Sequence, residues 1–202
     1  EVDIAKAGAA ADTCISANDK EVLKKLGVTK EDISEVLQLY AYQNKMAELM
    51  TADTNTEVSD DEAAQTSITY VKVSTTGTET DSAGKTIDLT DKERAEKEEL
   101  AKKVLEKVQA SDDVANADMS ALAKEVDENL TATTRSYGSD DTTTDDVLKK
   151  AAGELKDGEL NAKVVEGTDG DGYYVLRLDK TFDEEKTEQK KTEIVNTRKQ
   201  EK

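Results

Sequence analysis

The chain has 202 residues, 46 acidic against 28 basic, a formal net charge of −18, and no histidine, tryptophan or proline. Hydrophobic residues make up 35% and aromatic residues 3%, so any core is lean and aliphatic. This composition repels nucleic acid phosphates and anionic membranes. It excludes Ser-His-Asp and Cys-His chemistry, and a lone Cys14 excludes an internal disulfide and a zinc site.

Such a length suits one or two compact domains. No apolar run approaches a membrane span. The small-residue run Ala7–Ala11 stays unassigned, because Ala11-Asp12-Thr13-Cys14 is a poor lipid-attachment context. Residues 19–50 are expected to be helical. Val22, Leu23 and Leu26 make a short apolar face that stops at Gly27. Thr29 with Asp32 has capping-box spacing, and Ile33, Val36, Leu37, Tyr40 and Ala47 recur at helical intervals. Residues 51–58 read as a polar linker, and Ser59 with Glu62 as the start of a short helix.

Ile68–Ser74 is rich in β-formers and predicts a strand, followed by a loop from Thr75 to Lys85. Thr90 with Glu93 predicts a long helix burying Ala101, Val104, Leu105 and Val108. A second helix follows Asp118, with Met119, Leu122, Ala123 and Val126 inward. Asn129–Thr143 reads as polar and irregular. Thr144 opens a helix carrying Val147, Leu148, Ala151 and Ala152. After Gly158 a strand is expected around Asn161–Val165. Asp169-Gly170-Asp171-Gly172 has the composition of a hairpin turn into a half-buried strand, Tyr173–Leu178. A calcium loop starting at Asp169 would need glutamate at 180, where Lys180 stands. Beyond Phe182 a charged helix is expected. The predicted order around the strands is β-α-α-α-β-β.

Several passages carry a family resemblance. Val58-Ser59-Asp60-Asp61-Glu62 precedes the strand Ile68–Val73; Met119–Glu125 resembles "Phe-x-x-Leu-Ala-Lys-Glu" with Met119 in the Phe place. Ala151–Glu159 resembles "Ala-Ala-Phe-x-Leu-x-x-Gly-Glu" with Gly153 in the Phe place, and Gly172–Leu178 resembles "Gly-Tyr-His-Ile-Ile-Lys" with Tyr174 in the His place. In this order the passages span most of residues 58–180 and resemble the parvulin-type peptidyl-prolyl isomerases, within bacterial extracytoplasmic foldases of the PrsA and SurA kind. The resemblance implies an α+β fold with a small antiparallel four-stranded sheet. It implies a helical N-terminal segment at 1–57, a parvulin-like domain at 58–180 and a C-terminal helix at 181–202 that packs with the N-terminal segment as a chaperone-type lobe. It further implies clients that are unfolded or nascent secreted polypeptides, no cofactor or metal, and a secreted or cell-surface location. Tethering to the membrane through a segment before Glu1 is part of that expectation.

The chemistry of the family's site has changed. Tyr70 and Tyr174 stand at the two histidine positions, Asn129 at the Cys or Asp position, Thr144 at an apolar position and Gly153 at a pocket Phe. Ser136-Tyr137-Gly138-Ser139-Asp140 replaces a glycine-rich segment. Tyr70 and Tyr174 read first as strand tyrosines packing a lean core; the alternative is a hydrogen bond between them that preserves the groove floor. The candidate peptide-binding residues are Tyr70, Tyr137, Leu148, Leu155 and Tyr174. Three readings stay open: a binding module with weak or no catalysis, a divergent prolyl isomerase, and a surface structural module.

Overall fold

The computed structural model describes residues 4–77, 84 and 88–202, so residues 78–83 and 85 of the expected loop lie outside the described residues. The helices are α1 (Ile4–Ala17), α2 (Lys20–Leu26), α3 (Lys30–Met50), α4 (Asp60–Ala63), α5 (Asp91–Gln109), α6 (Met119–Lys124), α7 (Asp146–Ala152) and α8 (Glu184–Gln200). The strands are β1 (Thr66–Ser74), β2 (Ala132–Tyr137), β3 (Val165–Glu166) and β4 (Gly172–Lys180). Two compact units form, Glu1–Glu57 with Val195–Lys202, and Val58–Ile194.

In the first unit the Ala7–Ala11 run lies inside α1, and Ala7 and Ala11 are its buried hydrophobic residues. Small side chains let α1 pack closely on α3, and Lys30 Nζ meets Asp12 Oδ1 at 2.6 Å. Gly27 closes α2 in the left-handed conformation, at φ +67. Thr29 and Asp32 form the reciprocal capping box at the head of α3. No residue of α3 is buried, and Val36, Leu39, Tyr40, Tyr42, Met46, Leu49 and Met50 are exposed. The apolar periodicity of this helix therefore does not mark a core. Arg198 donates to the carbonyls of Asn55 and Glu57 at 3.2 and 3.0 Å, which ties the end of α8 into this unit.

The second unit is an antiparallel sheet in the order β2-β1-β4-β3. Helices cover both of its faces. Val71, Val73 and Val175 pack against Ala101, Val104, Leu105 and Val108 of α5 and Met119 and Ala123 of α6. Ile68, Tyr174, Leu176 and Leu178 pack on the other side against Leu148 and Ala152 of α7. Caps set the helix ends. Thr90 and Glu93 close a full capping box, and Asp118 Oδ1 accepts from the Ala121 N–H.

Three expectations change. The Asn129–Thr143 stretch contains a strand, β2, so the order is β-α-α-β-α-β-β. The strand expected at Asn161–Val165 contracts to Val165–Glu166, with a single bridge from Leu160 to Arg177 before it. β4 is not half-buried: Tyr174 to Leu178 are all buried, because helices cover both faces. The expected hairpin turn joins β3 to β4, with positive φ at Asp169 and Gly170.

Charge is uneven. The sheet unit holds 34 of the 46 acidic residues and 19 of the 28 basic ones, a net −15. The other unit holds 12 and 9, a net −3. Screening this self-repulsion favours the folded state. The melting temperature is therefore expected to rise by several degrees between about 20 and 300 mM sodium chloride. A scanning calorimetry series that shows it falling over that range is the contrary result.

Candidate functional site

The α7 side of the sheet carries the chemistry that the sequence singles out. Side chains alternate across a strand, so Ile68, Tyr70 and Lys72 share this face of β1, and Tyr174, Leu176 and Leu178 share that of β4. Register sets their pairing: Tyr70 lies opposite Leu176, and Lys72 opposite Tyr174. The two tyrosines therefore meet diagonally. Their rings touch edge-to-face, with centroids 5.5 Å apart and planes at 64°. Both pack in the apolar cluster of this face, and no hydrogen bond joins their hydroxyls. Tyr174 instead donates its hydroxyl to Asp171, at 3.0 Å to Oδ2 and 3.3 Å to Oδ1.

Lys72 completes this group. Its Nζ lies 2.5 Å from Asp171 Oδ2 and 5.3 Å from the centre of the Tyr174 ring. Burial pushes the Tyr174 phenol above its ordinary value. Burial draws the Lys72 ammonium down, but Asp171 and the Tyr174 phenol outweigh that and hold it up. Both groups thus stay protonated at neutral pH. Gly167 passes directly over the group: a Cβ there would come within 2.1 Å of Asp171 Oδ1 and 2.6 Å of Tyr174 Cε2. Close backbone approach is why that position is glycine.

Asp145 anchors α7 beside this cluster. Its carboxylate accepts from the Val147 N–H at 2.9 Å, the Thr168 N–H at 2.9 Å and the Thr168 hydroxyl at 2.6 Å. Burial pushes this carboxyl up, yet the Thr168 donors win and hold it below its usual value. Asp141 shows the same balance. Burial raises it, and the Thr143 hydroxyl with the Thr143 and Thr144 N–H groups holds it well below the carboxylate range.

Tyr137, Leu148, Leu155, Tyr70 and Tyr174 belong to one apolar cluster, with Leu148 and Tyr174 buried and the other three partly open. Burial pushes the Tyr137 phenol up. Thr144 is buried at the mouth of α7, and its Oγ1 makes no hydrogen bond. Asn129 is exposed between α6 and β2, where its backbone and side-chain N–H groups both donate to Asp127 Oδ1. Gly153 ends α7 at φ −64, with ordinary room for a Cβ, so a pocket wall is absent there without a backbone reason. Lys72, Asp171, Asp145 and Thr168 form a group that no local sequence motif marks. The available signal was Lys72, two residues after Tyr70 and hence on the same strand face. Among the described residues no cluster of three or more Cys, Asp or Glu is placed to hold a metal ion.

No protein-family model matches the chain, and no curated protein does. Solved structures do. The foldase protein PrsA of Streptococcus pneumoniae is 18% identical, at a TM-score of 0.34, over 97% of this chain and 68% of its own. The peptidylprolyl isomerase PrsA of Bacillus cereus is 17% identical, at 0.35, over 98% and 67%. That of Bacillus anthracis is 16% identical, at 0.32, over 100% and 81%. The functional reading rests on the residues themselves.

Proposed function

We propose that this chain is an extracytoplasmic folding helper that binds unfolded polypeptide through a parvulin-like domain with little or no isomerase chemistry. One observation carries the reading: the partly open Tyr70, Tyr137 and Leu155 pack on an apolar cluster whose buried Tyr174 commits its hydroxyl to Asp171. Prolyl isomerisation needs an amide to be desolvated and twisted over a barrier of roughly 20 kcal/mol. The cluster supplies apolar contact, and its Tyr174 hydroxyl is already bonded to Asp171 rather than free to engage a twisting amide. The order of sequence motifs across residues 58–180 supports the same assignment.

The test is NMR exchange spectroscopy on a short Xaa-Pro peptide. Its cis–trans rate is expected to stay at the uncatalysed value with catalytic amounts of the folded chain. The chain is also expected to suppress aggregation of an unfolded model protein at tens of micromolar. Accelerated exchange that is lost in Tyr174→Phe would replace this reading with that of a divergent isomerase. Failure to bind any unfolded polypeptide would end it.

A further inference from the structure

Among the described residues β2 is an edge strand, paired with β1 alone. Its register with β1 runs unbroken over six pairs, from Thr66↔Tyr137 to Val71↔Ala132. In such a ladder, pairs that exchange backbone hydrogen bonds alternate with pairs whose N–H and C=O groups point away from each other. Two contacts fix the phase. The Ala132 N–H donates to Ser120 Oγ at 2.9 Å, away from β1. Thr134 Oγ1 lies 2.8 Å from Thr69 Oγ1, the close approach found in non-bonded pairs. Ala132, Thr134 and Ser136 therefore turn their backbone groups outward. Those of Thr134 and Ser136 have no hydrogen-bond partner among the described residues.

Folded proteins blunt open edges with lysine, proline, bulges or cover. β2 (Ala-Thr-Thr-Arg-Ser-Tyr) has no lysine, no proline and no bulge. Arg135 is occupied, its Nη1 donating to the Thr143 carbonyl at 2.9 Å. A cavity of about 400 Å³ opens at the end of the strand, lined by Ser136, Tyr137 and Gly138, by Asp140 and Asp141, and by Lys186, Lys190 and Glu193 of α8; Lys190 pairs with Asp140 at 3.7 Å and Lys149 with Asp141 at 3.8 Å. The opposite edge strand, β3, has two residues, too few to template a partner.

We propose that the β2 edge accepts an extended polypeptide segment with basic side chains, which adds to the sheet as a fifth strand. Backbone groups of Thr134 and Ser136 supply the sequence-independent bonds. The net −15 of this unit selects basic over acidic segments. This inference rests on the reading that the chain binds polypeptide, and it names where and in what conformation.

The experiment uses the whole chain and a fluorescein-labelled ten-residue peptide alternating valine and lysine. At saturation, amide exchange of Thr134 and Ser136 followed by NMR is expected to slow at least tenfold. Thr134→Pro removes an outward donor without removing a bond to β1, as edge strands tolerate. It is expected to weaken peptide binding at least tenfold, as is changing each lysine of the peptide to glutamate. Protection confined to residues 146–155, with Thr134 and Ser136 unchanged, overturns the edge site and leaves polypeptide binding standing. No binding of the peptide overturns both. Should Thr134→Pro fail to fold, the exchange result on the unaltered chain decides alone.

Discussion

Arg177→Ala is expected to lower folding stability by about 3 kcal/mol, the scale on which a buried charge pair responds to losing one partner. The guanidinium is almost wholly buried. Its Nε meets Asp179 Oδ1 at 2.7 Å, and its Nη1 donates to the Val114 and Ala117 carbonyls at 2.9 and 3.0 Å. Removing it leaves Asp179 without its cation and the Ala117 carbonyl without its donor, while the Val114 carbonyl keeps the Ala117 N–H at 3.4 Å. Asp179 Oδ2 in turn accepts from Thr69 Oγ1 at 2.6 Å, and Thr69 contacts Thr134. One chain of polar contacts thus runs from the α5–α6 connection across β4 and β1 to β2. Arg177→Met retains the bulk of the side chain and is expected to cost nearly as much, which separates charge from packing. Urea midpoints decide the matter. A loss under 1 kcal/mol in both variants would show that water satisfies the abandoned groups and that the network does not hold the sheet together.

The reasons some of this was legible in the sequence, and some not, are physical. Caps are local, so Thr29 with Asp32 and Thr90 with Glu93 announced their helices, and the buried stripe of α5 followed from its period. β2 was hidden because an edge strand with polar side chains has no apolar alternation to display, and its backbone pairing with β1 alone makes it a strand. α1 was hidden because its buried contacts are alanines, which signal little. Alternation misled in β4, where helices on both sides bury residues of either parity. At the site, the tyrosines could be placed on neighbouring strands, but not in register. Tyr174 bonds Asp171, three positions before it, and the β1–β4 register brings Lys72 opposite Tyr174 to join them. That arrangement depends on pairing between residues about a hundred positions apart, which no local pattern encodes.

The remaining large effect is expected at Leu148. α7 has seven residues, too short to persist in water without packing. It buries Leu148 and Ala152 against Ile68, Leu176 and Leu178, and two polar ties assist: Asp145 to Thr168, and Lys149 to Asp141. Leu148→Ala deletes the largest apolar contact of the helix and leaves a cavity against the sheet, for a cost of about 3 kcal/mol. The polar ties can keep the ends of α7 near the sheet but cannot replace that burial, since both are partly solvated. Undocking should therefore precede global unfolding. Amide exchange across 146–152 is expected to speed up by about 100-fold, as 1.4 kcal/mol per factor of ten requires, while the α5 core around Val104 is less affected. Because the opened face carries Tyr70 and Tyr174, the same variant should bind an apolar fluorescent dye more strongly than the parent. Unchanged exchange in α7 with a global loss of the same size would mean that α7 and the sheet unfold as one cooperative unit. A global loss below 1 kcal/mol, with α7 still protected, would remove Leu148 as the contact that holds this helix over the site.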